Sequence, residues 1–326
     1  MKRTMKKMVS MALTGTMAVA VLAGAGTSEV KAADKAKIGV LVADVSGEEA
    51  QGFRSYYENY IAGNYDVEFN YTDALQSAED EKTAIEKFAS QGCQAIISFS
   101  SNDRVQQIET CEKYGVYYAV ASGVLDDAQY ETYKTYEYFA GQVGPGNDTE
   151  FEAGKDMGAY YKEQGVSKVA IYGAFIPNPM HVYRVAGVLN GLGCTYGGES
   201  DMNAIAGQIF QDQTVDLSKV EGDVEVVSYL QGYGDTTTDE LNAAIQKTPD
   251  AFISVGMATT FFAQSLSEAG ISFSDIDSFT ETNGNSMKNG TLTYLAGKYS
   301  SSIGPVFALV MNAINGNVIR DEDGNA

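Results

Sequence analysis

Tryptophan is absent from these 326 residues, histidine occurs once, cysteine three times and proline five times. His181 is the single imidazole, and Cys93, Cys111 and Cys194 form no CxxC pair, so a zinc site of the usual Cys/His kind has no ligand set. No GxSxG elbow and no phosphate-cradling glycine loop is present, which removes two common enzyme signatures. Positive charge is scarce as well: 22 Lys and Arg stand against 43 Asp and Glu, a net charge of −21. So acidic a chain repels nucleic-acid phosphates and anionic lipid, and no nucleic-acid partner is expected. Carboxylate pairs suited to glycoside hydrolysis arise by chance in such a composition and carry no assignment. The chain reads as a non-enzyme, with no cofactor and no metal.

Long apolar runs are also lacking, with one exception. Lys2, Arg3, Lys6 and Lys7 precede an apolar stretch from Met8 to Ala25, and Val30-Lys31-Ala32 puts small residues at the −3 and −1 positions. This is the layout of a secretory signal peptide, residues 1–32, cleaved after Ala32. Thr14, Gly15, Thr16 and Gly24 dilute the run below the roughly 20 apolar residues a spanning helix needs. Leu22-Ala23-Gly24-Ala25-Gly26 is similar to a bacterial lipoprotein signal with Ala25 where the lipid-bearing Cys would stand. The product is expected to be exported, extracellular or periplasmic, with no lipid anchor.

Beyond residue 32 the chain alternates. Continuous apolar runs at 38–43, 95–99 and 116–121 are separated by helical periodicity around Phe53 and Tyr57, Ile85 and Phe88, and Val105 and Ile108. A further strand covers 67–71, and Ser77 to Asp80 reads as a helix cap. Runs that are apolar at every position mark parallel strands buried on both faces. The pattern restarts with a helix at 151–161, strands at 169–175, 224–230, 251–255 and 278–281, and helices at 182–192, 235–246 and 258–269. Residues 201–222 resolve into no clear element, and the glycine-rich 138–148 suits a crossing between halves.

The expected fold class is therefore α/β, with two Rossmann-like lobes whose parallel sheets are joined by hinge strands. Residues 33–140 plus 296–316 form one lobe and 141–295 the other. The helix at 303–314 is followed by 317–326, which reads as the start of a possibly truncated segment. Cys93 and Cys111 fall at the same end of one βα unit, as a disulfide or as two buried thiols.

In open parallel sheets ligands bind beyond the carboxyl ends of the strands. That rule selects Asp44 and Ser46, Ser101 and Asp103, and Ser122 in the first half. In the second it selects Phe175, Asn178 and His181, then Tyr229 and Tyr233, Met257 and Glu281. Asp44 and Asp103 have carboxylates able to accept hydroxyl protons, although Asp103 equally suits a helix cap. Phe175, Tyr229 and Tyr233 offer flat faces to a ring; with 21 Tyr, many rings serve packing alone.

Several stretches carry a family likeness. Asp73-Ala74 leads through a helix to Gln91-Gly92-Cys93-Gln94-Ala95-Ile96-Ile97; Glu152-Ala153-Gly154 precedes Met157-Gly158; and Arg184-Val185-Ala186-Gly187 opens a later helix. Over residues 37–316 this order resembles the type 1 periplasmic-binding-protein fold, shared by sugar-binding proteins of ABC importers and effector domains of lactose-repressor-type regulators. The resemblance implies that Arg184 is a ligand-gripping guanidinium. With a signal peptide and no helix-turn-helix before Lys37, it implies a monomeric solute-binding protein, sugar first among ligands, serving an ABC permease or a membrane sensor receptor. There are departures. Ser122-Gly123 stands where the family places Asp-Arg, Val255-Gly256 where it places Asn-Asp, Gly297-Lys298 near its late Gln, and Glu281 one residue from its Asp. These raise the standing of a nucleoside or other aromatic metabolite as the ligand.

Overall fold

The computed structural model describes residues 35–326. The signal peptide expected at residues 1–32, and the cleavage expected after Ala32, lie outside the described residues. Strands β1 (Ala36–Val42), β2 (Val67–Ala74), β3 (Ala95–Ser98), β4 (Tyr117–Val120) and β5 (Phe139–Gln142) form one sheet in the order β2-β1-β3-β4-β5. All its pairings are parallel. In β3 every residue is buried, Ser98 included, as befits a strand covered on both faces.

The second half repeats the winding. β6 (Lys168–Tyr172), β9 (Glu225–Leu230), β10 (Ala251–Ser254), β11 (Phe273–Ile276) and β12 (Leu292–Ala296) make a second parallel sheet, ordered β12-β11-β10-β6-β9. The short pair β7 (Thr195–Tyr196) and β8 (Val220–Glu221) is a separate antiparallel ribbon. In each sheet the first strand lies between the second and third to form, so each lobe has a topological switch point beside its opening strand.

Why the glycine motifs occur becomes clear at the helix pair Asn147–Glu163 and Pro179–Gly191. A Cβ on Gly154 would fall on the carbonyl oxygen of Arg184, and one on Gly187 on that of Phe151. Gly158 and Gly191 meet Val188 and Lys155 in the same way. The seam lets two backbones touch, and any side chain there would force them apart.

After β12 the chain returns to the first lobe. Helix Gly304–Ile314 packs Val306, Phe307 and Val310 into the core of Phe53, Tyr57 and Ile97. The last residues make a turn held on the first lobe, with Arg320 donating to the carbonyls of Lys134 and Tyr136 at 2.9 and 2.6 Å.

Three expectations need correction, and one open alternative is decided. The strand expected at 278–281 lies at 273–276, because Ser274 and Asp275 are polar yet fully buried and break the apolar run. Glu281 instead opens a helix capped by Thr280, whose hydroxyl accepts from Asn283 N at 3.1 Å. The segment expected to cross between lobes contains β5, so a boundary at 140/141 cuts a strand; Ala296 likewise pairs within the second sheet. Residues 201–222 hold a helix, Met202–Asp212, capped by Asp201, before the small ribbon. Cys93 and Cys111 are free thiols, both buried.

Candidate functional site

At the switch point of the first sheet, the loop leaving β1 and the residue following β3 diverge. Between them opens a cavity of about 200 Å³. Phe53 and Tyr57 come from the helical segment after β1, Tyr71 and Thr72 from β2, and Phe99 is the residue just past β3. Phe53 stacks on Phe99 at 5.3 Å between centroids, and the Arg54 guanidinium sits 4.5 Å over the Tyr71 ring. The Tyr57 hydroxyl donates to the Ile303 carbonyl at 3.1 Å, tying this wall to the returning chain.

Polar groups fix the surrounding loops, exposed at Asp44, buried at Glu81 and half-buried at Arg104. Asp44 accepts from Ser46 N, Ser46 Oγ and Gly47 N at 2.8, 3.0 and 3.0 Å; these bonds, led by the Ser46 amide, hold its carboxyl below the usual range. Glu81 reaches the loop after β3, taking Ser100 Oγ at 2.5 Å and the amides of Asn102 and Asp103 at 2.9 and 3.0 Å. Burial alone would push that carboxyl up, but the donors outweigh it and the pKa is lowered. Arg104 does the same for the loop after β4, donating to the carbonyls of Ser122 and Val124 at 2.5 and 2.7 Å.

Across the cleft, Arg184 ties the strand ends together. Its Nε donates to Glu150 at 2.5 Å and its Nη1 to the Val255 carbonyl at 2.9 Å, and the two side chains are only 13% and 6% exposed. His181, also buried, accepts from the Phe175 amide at Nδ1 at 3.2 Å. Burial, with Arg184 nearby, pushes its pKa down to about 4, so the ring is neutral at pH 7. Phe175 meets Tyr233 edge-on at 5.6 Å, and Tyr233 stacks near Phe261.

Between the lobes, Glu49 accepts from Ser278 Oγ and pairs with Lys298 Nζ at 3.2 Å. A second cavity of about 220 Å³ there is lined by Glu49, Phe53, Phe279, Glu281 and Lys298. Asp277, directly after β11, sits close by; burial raises its pKa, and the Glu49 charge adds to this. Asp275, wholly buried, is pushed up to about 7, by burial first and by Asp277 second.

The sequence-selected residues divide accordingly. Asp44 and Ser122 wall the first cavity and Glu281 the second. Phe175, His181 and Tyr233 form one group over the second sheet. Asp103 and Asn178 cap helices, accepting from Gln106 N and Met180 N. Ser46 is exposed on the Asp44 turn, and Ser101 is exposed and outside both cavities. Tyr229 packs its ring against Gly173, and Met257 occupies a left-handed backbone position, φ 67°, at a helix start. Sequence reasoning missed Tyr71, Phe53, Glu49, Asp277 and Lys298. The carboxyl end of β2 was the available signal for Tyr71, and the misplaced β11 hid Asp277.

Among the described residues no group of three or more His, Cys, Asp or Glu is placed to hold a metal ion, and no helix is long and apolar enough to cross a membrane. No family profile and no curated protein sequence matches the chain. Solved structures do. The periplasmic binding protein component of the arabinose ABC transporter from Shewanella sp. ANA-3, bound to α- and β-L-arabinofuranose, is 16% identical with TM-score 0.61, covering 86% of each chain. An ABC-transporter solute-binding protein from Actinobacillus succinogenes 130z with bound D-allose is 16% identical with TM-score 0.66, covering 87% of this chain and 93% of its own. The transcription regulator CcpA of Lactococcus lactis is 10% identical with TM-score 0.60, covering 88% and 94%. The chain has the type 1 periplasmic-binding-protein fold.

Proposed function

We propose that this protein captures a small solute in the cleft between its two lobes, without transforming it, and delivers it to a membrane partner. The observation that carries this reading is the aromatic-walled cavity at the first switch point, opening beside a cleft bridged by Glu49, Ser278 and Lys298. Two lobes bridged in this way suit closure about a hinge, the mode by which such folds enclose a ligand. The solute-binding neighbours support the same reading.

Export after cleavage at Ala32 belongs to this proposal, as does a monomer that docks on an ABC permease. Ala25, standing where a lipid-bearing Cys would be, favours a freely diffusing carrier and leaves room for a membrane sensor receptor as the partner.

A melting screen against small metabolites tests the reading. A ligand at 100 times its dissociation constant adds about 2.7 kcal/mol of stability, and it should be recovered chemically unchanged from the complex. Consumption of the stabilising compound would instead make the protein an enzyme.

A further inference from the structure

The first cavity is rich in rings and poor in free polar groups. Four of its walls are aromatic: Phe53, Tyr57, Tyr71 and Phe99. Most of its polar members are engaged; the Ser122 hydroxyl and the Arg54 Nη groups stay open. Asp44 holds its own turn through three hydrogen bonds. Glu49 is taken by Ser278 and Lys298, Arg54 Nε by Glu58 at 2.8 Å, and Thr72 Oγ1 accepts from Val42 N at 3.1 Å. One polar atom stands apart. The Tyr71 hydroxyl is buried and has no hydrogen-bond partner among the described residues.

A polyhydroxylated solute leaving water needs a donor or acceptor for nearly every hydroxyl, and each one left without a partner costs about 1–3 kcal/mol. This cavity offers too few. A flat ring needs none over its faces and gains from aromatic walls at stacking distance. A single hydrogen-bonding edge on that ring would satisfy the Tyr71 hydroxyl. Charge narrows the choice further: the protein carries −21, and on the cavity wall Asp44 and Glu49 outnumber Arg54. A phosphorylated ring would be repelled.

We infer that the first-lobe cavity receives an uncharged heteroaromatic ring, a nucleobase or a nucleoside bearing one, held between aromatic side chains with its polar edge on the Tyr71 hydroxyl. This rests on the capture reading above, and it departs from the sugars bound by the structural neighbours.

Titration calorimetry of the purified protein with adenosine, guanosine, uridine, adenosine monophosphate, L-arabinose and D-allose tests it. At least one nucleoside should bind, while the monophosphate and both sugars give no heat. Tyr71→Phe should weaken the nucleoside about three- to tenfold, the range of one neutral hydrogen bond. The same variant should melt at or above the temperature of the parent, because it removes a hydroxyl that has no partner. Sugar binding without nucleoside binding would overturn the ring assignment and leave solute capture standing. No binding by any of the six would overturn the ring assignment and count against capture too. Nucleoside binding with unchanged affinity in Tyr71→Phe would overturn the placement of the ring at Tyr71.

Discussion

Replacing Arg184 by Ala should unfold the second lobe before it touches affinity. In the native chain Glu150 is 6% exposed, and its carboxylate faces the Arg184 Nε at 2.5 Å. The same guanidinium spans the carbonyl of Val255, just past β10, and reaches that of Ile276, the last residue of β11, at 3.4 Å. Removing it strands a buried carboxylate and two strand-end carbonyls at once. Breaking a buried pair from one side typically costs about 3–5 kcal/mol. At roughly 2–4 °C per kcal/mol for a chain somewhat shorter than this one, the melting temperature should fall by roughly 6–20 °C. Circular-dichroism melts without any added solute read this directly. The double variant Glu150→Gln, Arg184→Met should recover much of the loss, because it removes the uncompensated charge. The reasoning would be refuted by an Arg184→Ala protein that melts within about 2 °C of the parent yet binds its solute weakly, since that is the behaviour of a ligand-gripping arginine.

Three other perturbations have outcomes set by the same contacts. Asp275 has a folded-state pKa of about 7, above the 3.8 of the free side chain, so the native chain holds a proton that the unfolded chain has released between those values. Stability from this group therefore falls as pH rises from about 4 through 7. Asp275→Asn should flatten that slope in melts taken between pH 5 and pH 8, and parallel curves for the two proteins would contradict it. Gly187→Ala drives a methyl into the Phe151 carbonyl and should lower unfolding stability by about 2–3 kcal/mol in urea titrations; an unchanged midpoint would mean the helix seam can open. Tyr71→Phe should separate stability from affinity, leaving the first intact while weakening a bound nucleoside.

Much of the architecture was legible because its strands are buried on both faces. Ile96-Ile97 in β3 and Val169-Ala170-Ile171 in β6 announce themselves as continuous apolar runs. β11 did not, since Ser274 and Asp275 satisfy burial through tertiary context that no local pattern reports; Asp275 takes the Ser254 hydroxyl at 2.8 Å from the neighbouring strand. β5 was obscured by its length of four residues and by Gly141, whose φ of 127° falls where glycine is favoured. The site was less readable than the fold. Loops past strand ends border both cavities, but Asp103 and Asn178 show why residue type alone misleads, because a good hydrogen-bond acceptor at a helix start is equally a cap. Tyr71 is one tyrosine of 21, and only the cavity and its unpartnered hydroxyl single it out.

Hydrogen exchange of the protein with and without its solute tests capture between the lobes most directly. The account predicts that saturation protects two separated stretches together: residues 43–54 and 71–72 on one side, residues 277–281 and 298–300 on the other. Protection confined to one lobe, or lying away from both cavities, would contradict it.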